Sequence, residues 1–277
     1  MVAQLELVYD LRFPDSFRSL VDVLSVVNLD LSWLPSLHLR CLGATTLPSQ
    51  LLVATLAPLG VVALAPAGMM LTKRDPRDAL PFVVWFTFLL FPPLSSFGFR
   101  ALAPCECFEL VDGGAECFLR TDFEVTCDDQ RGAPAEVRAA AWVTVAVWAI
   151  GVPLLYAALL SAHAWRPHAV PRAALEALVG DYKRLLSGWE VVAVMEKLAL
   201  VGFLALVDPG SWTQLFMGTI VALFGFVLQA HFAPYRTSSD NLVAFVASLA
   251  LVPVFLGSLG LQVRSPHHLP CTFLVSP

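Results

Sequence analysis

The stretch LLVATLAPLGVVALAPAGMML, residues Leu51–Leu71, contains no charged side chain. A helix needs about 20 apolar residues to cross roughly 30 Å of hydrocarbon, so this stretch is long enough to span a membrane. Backbone polar groups in hydrocarbon must be hydrogen-bonded within the chain, which makes an α-helix the expected conformation. This one segment already indicates an integral membrane protein.

Five further windows satisfy the same requirement. They are Leu80–Phe99, Ala139–Ala162, Gly188–Val207, Trp212–Phe232 and Asn241–Val263. The 277-residue chain is 57% apolar and only 14% charged, with a mean hydropathy of +0.72. An ordinary soluble domain is roughly half apolar and about a quarter charged, so the composition argues strongly against a cytosolic globular enzyme. We therefore predict an all-α, polytopic transmembrane helix bundle with about six spans in residues 51–263.

The segment before the first span, residues 1–50, is expected at the outer membrane surface. Within Phe13–Leu29, apolar side chains recur at helical spacing opposite polar ones, which predicts an amphipathic N-terminal helix in the membrane interface. A second apolar stripe follows Pro171 and consists of Leu175, Leu178, Val179, Tyr182, Leu185 and Leu186. Simple packing beneath the helix bundle is the more common role of such stripes and is the alternative for both.

Lysine and arginine are dense in the short connections after the first, third and fifth spans. The raw counts are eight on each side of the membrane, so it is this density close to the spans that places these connections in the cytoplasm. The basic residues of these connections are Lys73, Arg74, Arg77, Arg166, Arg172, Lys183, Arg184 and Arg236. The connection between the second and third spans, residues 101–138, is long and acidic instead. We therefore predict that this connection is extracellular. Residues 264–277 follow the last span as a tail.

Four of the six cysteines, Cys105, Cys107, Cys117 and Cys127, lie in this connection, and Cys41 is expected on the same side. Disulfides form outside the reducing cytosol, so these five residues are disulfide candidates. A bond from Cys107 to Cys127 would constrain about 20 residues and stabilise the loop by roughly 3 kcal/mol. Four cysteines allow three pairings, and the sequence leaves the choice open. Zinc is the less favoured alternative because paired Cys-x2-Cys knuckles are missing, so we assign no metal.

Three charged side chains lie inside one predicted span. Glu190, Glu196 and Lys197 fall within Gly188–Val207, where an unpaired charge costs several kcal/mol. Adjacent helical residues point about 100° apart, so Glu196 and Lys197 should face different neighbours. One interpretation is an ion or proton pathway, or a salt-bridge switch between helices. The other is a structural pair that fixes the helix register.

Several short motifs together carry a family resemblance. They are Phe91-Pro92-Pro93-Leu94-Ser95-Ser96, Phe99-Arg100, Cys107-Phe108-Glu109, Asp112-Gly113, Trp189-Glu190-Val191-Val192, Glu196-Lys197-Leu198, Pro209-Gly210-Ser211, Pro234-Tyr235 and Asp240-Asn241. Over about residues 13–262, the chain resembles the C-terminal membrane domains of large surface proteins from algae and other protists. Those domains are grouped with TRP-like channels. The family pattern has two cysteines in the acidic loop, so Cys105 and Cys117 are additional.

The resemblance implies a multi-pass, TRP-like channel-type domain, with cation transport as the expected activity. The alternative is a signal-transducing or anchoring membrane module of a surface receptor without pore activity. Expected partners are the lipid bilayer, cations, and either further copies of the chain or a cytoplasmic partner at Arg166–Arg184. The net charge of −5 argues against nucleic acid, and no phosphate-binding or hydrolase motif supports an enzyme, a catalytic residue or a cofactor. We expect an integral protein of the plasma membrane or an endomembrane.

Overall fold

The computed structural model describes residues 46–73, 75–109, 114–127, 132–165, 170–183, 186–207 and 211–264. Helices dominate this part of the chain, which confirms the predicted all-α polytopic bundle. Five of the segments described are long and apolar enough to cross a membrane: Leu47–Leu71, Pro76–Ala101, Ala135–Trp165, Trp212–Phe232 and Ser238–Gly260. The predicted interfacial helix at Phe13–Leu29, Cys41 and residues 265–277 of the tail lie outside the described residues.

The helices are numbered in chain order. They are α1 (Leu47–Leu71), α2 (Leu80–Ala101), α3 (Ala135–Trp165), α4 (Arg172–Val179), α5 (Trp189–Val201), α6 (Trp212–Phe232) and α7 (Ser238–Arg264). Local sequence explains several of the starts. Pro171 immediately precedes α4, and the Ser211 hydroxyl caps α6 by accepting a hydrogen bond from the backbone N–H of Gln214 at 3.1 Å.

Helices α2 and α3 pack closely. α2 runs through Pro92 and Pro93 as one continuous helix. A Cβ atom at Gly98 would lie 3.0 Å from a methyl group of Val145 and 3.2 Å from Thr144, both on α3. A larger residue at Gly98 would therefore push the two helices apart, and glycine is what permits this crossing. Val145 also begins a π-helical turn within α3.

The prediction of one continuous span over Gly188–Val207 is wrong. α5 has 13 residues and ends at Val201, and a short 3-10 turn, Phe203–Leu206, follows it. A Cβ atom at Gly202 would lie 2.7 Å from the ring of Phe99, so the helix ends where an aromatic side chain of α2 presses against it. Helix and turn together rise by about 28 Å, so this segment extends along the bundle as a broken helix.

The connection between α2 and α3 contains a small antiparallel sheet that the sequence did not predict. Its strands are β1 (Glu106–Glu109), β2 (Ala115–Leu119) and β3 (Asp122–Thr126), in the order β1-β2-β3. Leu119 is completely buried and belongs to one cluster with Leu51 of α1 and Ala101 of α2. The sheet is thereby packed onto the ends of these helices, and we call this the sheet end of the bundle.

Two disulfides hold the sheet. Cys107 lies opposite Cys117 across β1 and β2 and is bonded to it, and Cys105 is bonded to Cys127. All four cysteines of the acidic connection are thus paired, as the argument from an oxidising exterior predicted. The bond between Cys107 and Cys127 that was considered from the sequence is not formed, because strand pairing brings Cys117 to Cys107 instead.

The opposite end of the bundle contains the connections before α5 and after α6. Helix α4 packs against α2 there, and Ala174 and Leu178 are buried. The second apolar stripe thus packs beneath the bundle, although its residue Leu185 lies outside the described residues. Tyr182 and Tyr235 meet at this end, which we call the tyrosine end.

Candidate functional site

Two connections are joined at the tyrosine end. Tyr182 and Tyr235 form an antiparallel backbone bridge, and their ring centroids lie 5.1 Å apart. The backbone N–H of Arg236 donates to the carbonyl oxygen of Asp181 at 2.9 Å, and Arg236 Nε donates to the carbonyl oxygen of Tyr182 at 2.8 Å. These contacts fix Tyr182 relative to α6 and α7.

Asn241, in the first turn of α7, completes the arrangement. Its Oδ1 accepts a hydrogen bond from the backbone N–H of Tyr235 at 3.0 Å, and its Nδ2 donates to the Tyr235 carbonyl oxygen at 2.8 Å. Lys183 Nζ adds a bond to the carbonyl oxygen of Ala233 at 2.6 Å. We call the group formed by Tyr182, Tyr235, Arg236 and Asn241 the tyrosine clasp.

The clasp positions the Tyr182 hydroxyl beside Glu190, one of the three charged residues identified from the sequence. This hydroxyl donates to Glu190 Oε2 at 2.6 Å. Burial raises the pKa of Tyr182, and the Glu190 carboxylate raises it further, so the hydroxyl remains a donor. Burial likewise raises the pKa of Tyr235. The second carboxylate oxygen, Glu190 Oε1, is buried and has no hydrogen-bond partner among the residues that the structure describes.

Glu196 lies against α6. The absent side chain of Gly225 makes room for its carboxylate, because a Cβ atom at that position would overlap with Glu196 Oε1 and would lie 2.9 Å from Oε2. The carboxylate is therefore held in the interface between α5 and α6. A glycine at this position of α6 is the structural condition for placing a charge there.

Lys197 faces α2 instead. Its Nζ lies 4.7 Å from the ring centroid of Phe88, which is a cation–π contact. No ion pair within 4.0 Å joins Lys197 to an acidic side chain in the described ranges. Glu196 and Lys197 thus have different neighbours, as their adjacent helical positions predict. A direct ion pair between them is not formed.

All three charged residues line one cavity of about 710 Å³ between α2, α5, α6 and α7. This volume lies within the range of roughly 300–1000 Å³ that is typical of small-molecule sites. The other polar lining residues are Asp181, Tyr182, Gln229, Tyr235 and Ser248, and aromatic rings of Trp85, Phe88 and Trp189 complete the wall. In the described part of the chain, no three His, Cys, Asp or Glu side chains are placed to hold a metal ion.

Gln229 is the most informative uncharged residue of the cavity. It is only 8% exposed, and its Nε2 has no hydrogen-bond partner within the described residues. It lies one helical turn beyond Gly225, so the two residues occupy the same face of α6. The cavity therefore contains a buried acceptor, Glu190 Oε1, and a buried donor, both without partners among those residues. Unpaired buried polar groups are costly and indicate a place for a ligand, ion or water.

Two residues of the site, Tyr182 and Gly225, were not identified from the sequence because their roles depend on distant parts of the chain. The sequence indicated Tyr182 only as a member of an apolar stripe, and no hydrogen-bond partner was predicted for its hydroxyl. Gly225 carried no signal that distinguished it from other glycines in the spans. The polar residue Gln214 does satisfy a backbone group, since its Nε2 donates to the carbonyl oxygen of Leu204 at 3.0 Å in the 3-10 turn after α5.

No protein-family model matches this chain, and neither a curated protein nor a solved structure matches it significantly. The resemblance to TRP-like membrane domains therefore stays a prediction. Any functional conclusion rests on the geometry of the charged cavity and on the membrane-spanning helices that surround it.

Replacing Tyr182 by phenylalanine is expected to lower the free energy of unfolding by about 1–3 kcal/mol, because both oxygens of Glu190 would then be unpaired. The folded state raises the pKa of Tyr182, so this contribution is fully present below the ordinary tyrosine pKa of 10.0. It is lost as the pH rises further, because only the unfolded tyrosine ionises easily. Denaturant titrations of both proteins at pH 8 and above pH 10 measure the difference. A difference that stays constant across this range would contradict the expectation.

Proposed function

We propose that this multi-pass membrane protein moves a monovalent cation through its helix bundle, with Glu190 and Glu196 as the cation-binding groups. The observation that carries the proposal is the unpartnered Glu190 Oε1, buried at the wall of a charged cavity within the bundle. A carboxylate oxygen removed from water needs a donor or a cation. Neither α5 nor its described neighbours supplies a hydrogen-bond donor to this atom.

The charge balance of the cavity favours a monovalent ion. Two glutamates face one lysine within the bundle, which leaves one formal negative charge when all three are ionised. The third carboxylate of the lining, Asp181, is exposed at the tyrosine end, where solvent ions screen it. The Phe88 ring holds the Lys197 ammonium on the α2 side, so it does not neutralise either glutamate by direct contact. A single positive charge would compensate the remainder, whereas a divalent ion would leave the opposite excess.

The described conformation is closed toward the sheet end. An apolar cluster that contains Phe99, Leu200, Leu204, Leu215 and Phe255 lies there. Apolar constrictions of this kind can exclude water and thereby act as a gate. The break in α5 after Val201 lies within the same cluster, so movement of the 3-10 turn would open it. The connection between α6 and α7 spans only residues 233–237, which leaves no room for a re-entrant pore helix. The pathway is therefore lined by helices.

The test is cation flux into proteoliposomes that contain the full chain. Under a potassium gradient, Glu190→Gln and Glu196→Gln are each expected to reduce the flux about tenfold, because each removes a charge-assisted contact to the ion. Glu136→Gln is the matched control: Glu136 lies in the first turn of α3, away from the cavity, and its variant should conduct like the native protein.

Correct folding is established separately by circular dichroism and by a monodisperse elution profile. Folded native protein that produces no flux would contradict the proposal. Native flux in Glu190→Gln, Glu196→Gln and the control Glu136→Gln alike would also contradict it. A loss in all three variants would point to a general effect of charge on reconstitution and would equally count against the assignment of Glu190 and Glu196.

A signal-transducing or anchoring module is the second candidate, and the tyrosine clasp favours it. The clasp joins the connection before α5 to that between α6 and α7, so a displacement of α5 at the sheet end would reach the tyrosine end. A cytoplasmic partner at Arg166–Arg184 belongs to this candidate, although both named residues lie outside the described ranges. Within that segment Lys183 is already bonded to Ala233, which leaves it less available to a partner.

A further inference from the structure

The charged cavity has an opening that faces the bilayer. On α2, its wall residues Trp85 and Phe88 are 64% and 36% exposed, and on α7 the wall residues Ala247 and Ala250 are exposed as well. All four lie inside helices that are long and apolar enough to cross a membrane. Exposed surface at such positions contacts lipid rather than water. The opening therefore lies between α2 and α7.

The packing of α7 explains why the opening exists. Near the sheet end, Phe255 is completely buried in the apolar cluster with Leu200 and Leu204. Nearer the tyrosine clasp, α7 packs chiefly along α6, and small side chains form its share of the cavity wall. These are Ala244, Ala247, Ser248 and Ala250. Small residues leave a gap toward α2 that larger ones would fill.

A charged cavity that opens into hydrocarbon needs an unusual occupant. Acyl chains can fill the opening, but they cannot hydrogen-bond to Glu190 Oε1 or Gln229 Nε2. Water that enters at the tyrosine end, where the lining residue Asp181 is exposed, can bond to both atoms, but it does not fill the apolar opening between α2 and α7. An amphiphile satisfies both requirements, because its polar group can enter the cavity while its apolar chains remain in the bilayer.

We propose that this cavity binds the head group of a zwitterionic phospholipid. The phosphate contacts Lys197 near the opening, and the ammonium group lies deeper, against Glu190 and Glu196. The acyl chains leave through the opening between α2 and α7. This inference goes beyond the proposed function, and the ammonium group of a bound lipid would compete with the cation for the same two carboxylates.

The arrangement of charges selects a zwitterion. Lys197 lies at the Phe88 side, where the opening is, and Glu196 lies at the Gly225 side, deeper among the helices. A head group that enters from the lipid would thus present its phosphate near the opening and its ammonium group further inside. In a zwitterionic phospholipid the phosphate is likewise the group next to the glycerol, and the ammonium group is at the far end of the head group. An anionic lipid would place a second negative or neutral polar group against the two carboxylates, which is unfavourable.

Lipid retention by the delipidated full chain in detergent, followed by native mass spectrometry, tests the inference. Added phosphatidylethanolamine is expected to remain bound, whereas phosphatidylglycerol at the same concentration is not retained. Lys197→Gln should weaken phosphatidylethanolamine binding about tenfold, because it removes the charge that contacts the phosphate. Ala247→Trp should do the same by filling the opening.

Two matched variants are expected to bind like the native chain. Lys73→Gln removes an exposed lysine outside the cavity, and Val246→Trp adds the same bulk as Ala247→Trp at an exposed position of α7 that does not line it. Equal retention of both lipids, or native binding by Lys197→Gln, would overturn the inference. So would soluble glycerophosphoethanolamine binding as tightly as the lipid, since the acyl chains would then have no role. No gradient is applied in this measurement, so its outcome is separate from the flux result.

Discussion

Gly225→Ala is expected to lower the free energy of unfolding by about 1 kcal/mol, although it adds only a methyl group within a helix. The reason is that the new Cβ atom would occupy the position of the Glu196 carboxylate. Either α5 and α6 must separate, or the carboxylate must leave its place between them. In most helices the same substitution is favourable, because alanine has the higher helix propensity by about 1 kcal/mol.

A double-mutant cycle with Glu196→Ala distinguishes these causes. If the overlap is responsible, Gly225→Ala should stabilise the protein by about 1 kcal/mol once the carboxylate is removed, and the coupling energy should be roughly 2 kcal/mol. Gly257→Ala is the matched control in α7, because a Cβ atom added there would meet nothing within 4 Å and alanine should be neutral or stabilising. Additive effects of Gly225→Ala and Glu196→Ala in denaturant titrations would contradict the close packing of these residues.

Removing the Cys105–Cys127 bond is expected to destabilise the sheet more than removing the Cys107–Cys117 bond. Loop-closure entropy gives about 3.4 kcal/mol for its sequence separation of 22 and about 2.7 kcal/mol for the sequence separation of 10 from Cys107 to Cys117. The first bond also joins the start of β1 to the end of β3. Its loss would free both edges of the sheet at once, whereas the second bond only links β1 to β2.

Hydrogen exchange at the amides of β2 measures this difference. Replacing Cys105 and Cys127 together by serine should reduce amide protection by a factor of about 100, and replacing Cys107 and Cys117 should reduce it less. Each double replacement serves as the control for the other, and cation flux should remain native in both because the cavity lies near the tyrosine end. Unchanged protection in the first variant, or a bond between Cys107 and Cys127 in non-reduced peptide maps, would contradict the pairing.

The spans could be predicted well because membrane crossing depends on a local property. Trp212–Phe232 coincides with α6, and the start of α2 at Leu80 was also predicted, since an uncharged apolar run of sufficient length determines a helix almost regardless of its neighbours. The same reasoning failed at Gly188–Val207. Its composition is that of a span, but the ring of Phe99 meets the chain at Gly202, and that contact comes from a distant segment.

The site could be predicted only in part. Charges are rare in apolar segments, so Glu190, Glu196 and Lys197 were identifiable from composition alone. Their neighbours were not, because a side chain's partner depends on how helices pack. The Tyr182 hydroxyl at Glu190, the space above Gly225 and the unpartnered Gln229 all arise between segments that are far apart in the chain.

The sequence by itself determined that the protein is a polytopic helical membrane protein, and it identified the charged residues and the cysteines of the acidic connection. Hydropathy and charge are properties of short segments, so they can be evaluated without a fold. Tertiary structure alone decided which cysteines pair, where α5 ends, and that three separate charges share one cavity. Each of these depends on contacts between residues that lie far apart in the sequence and are brought together only by the fold.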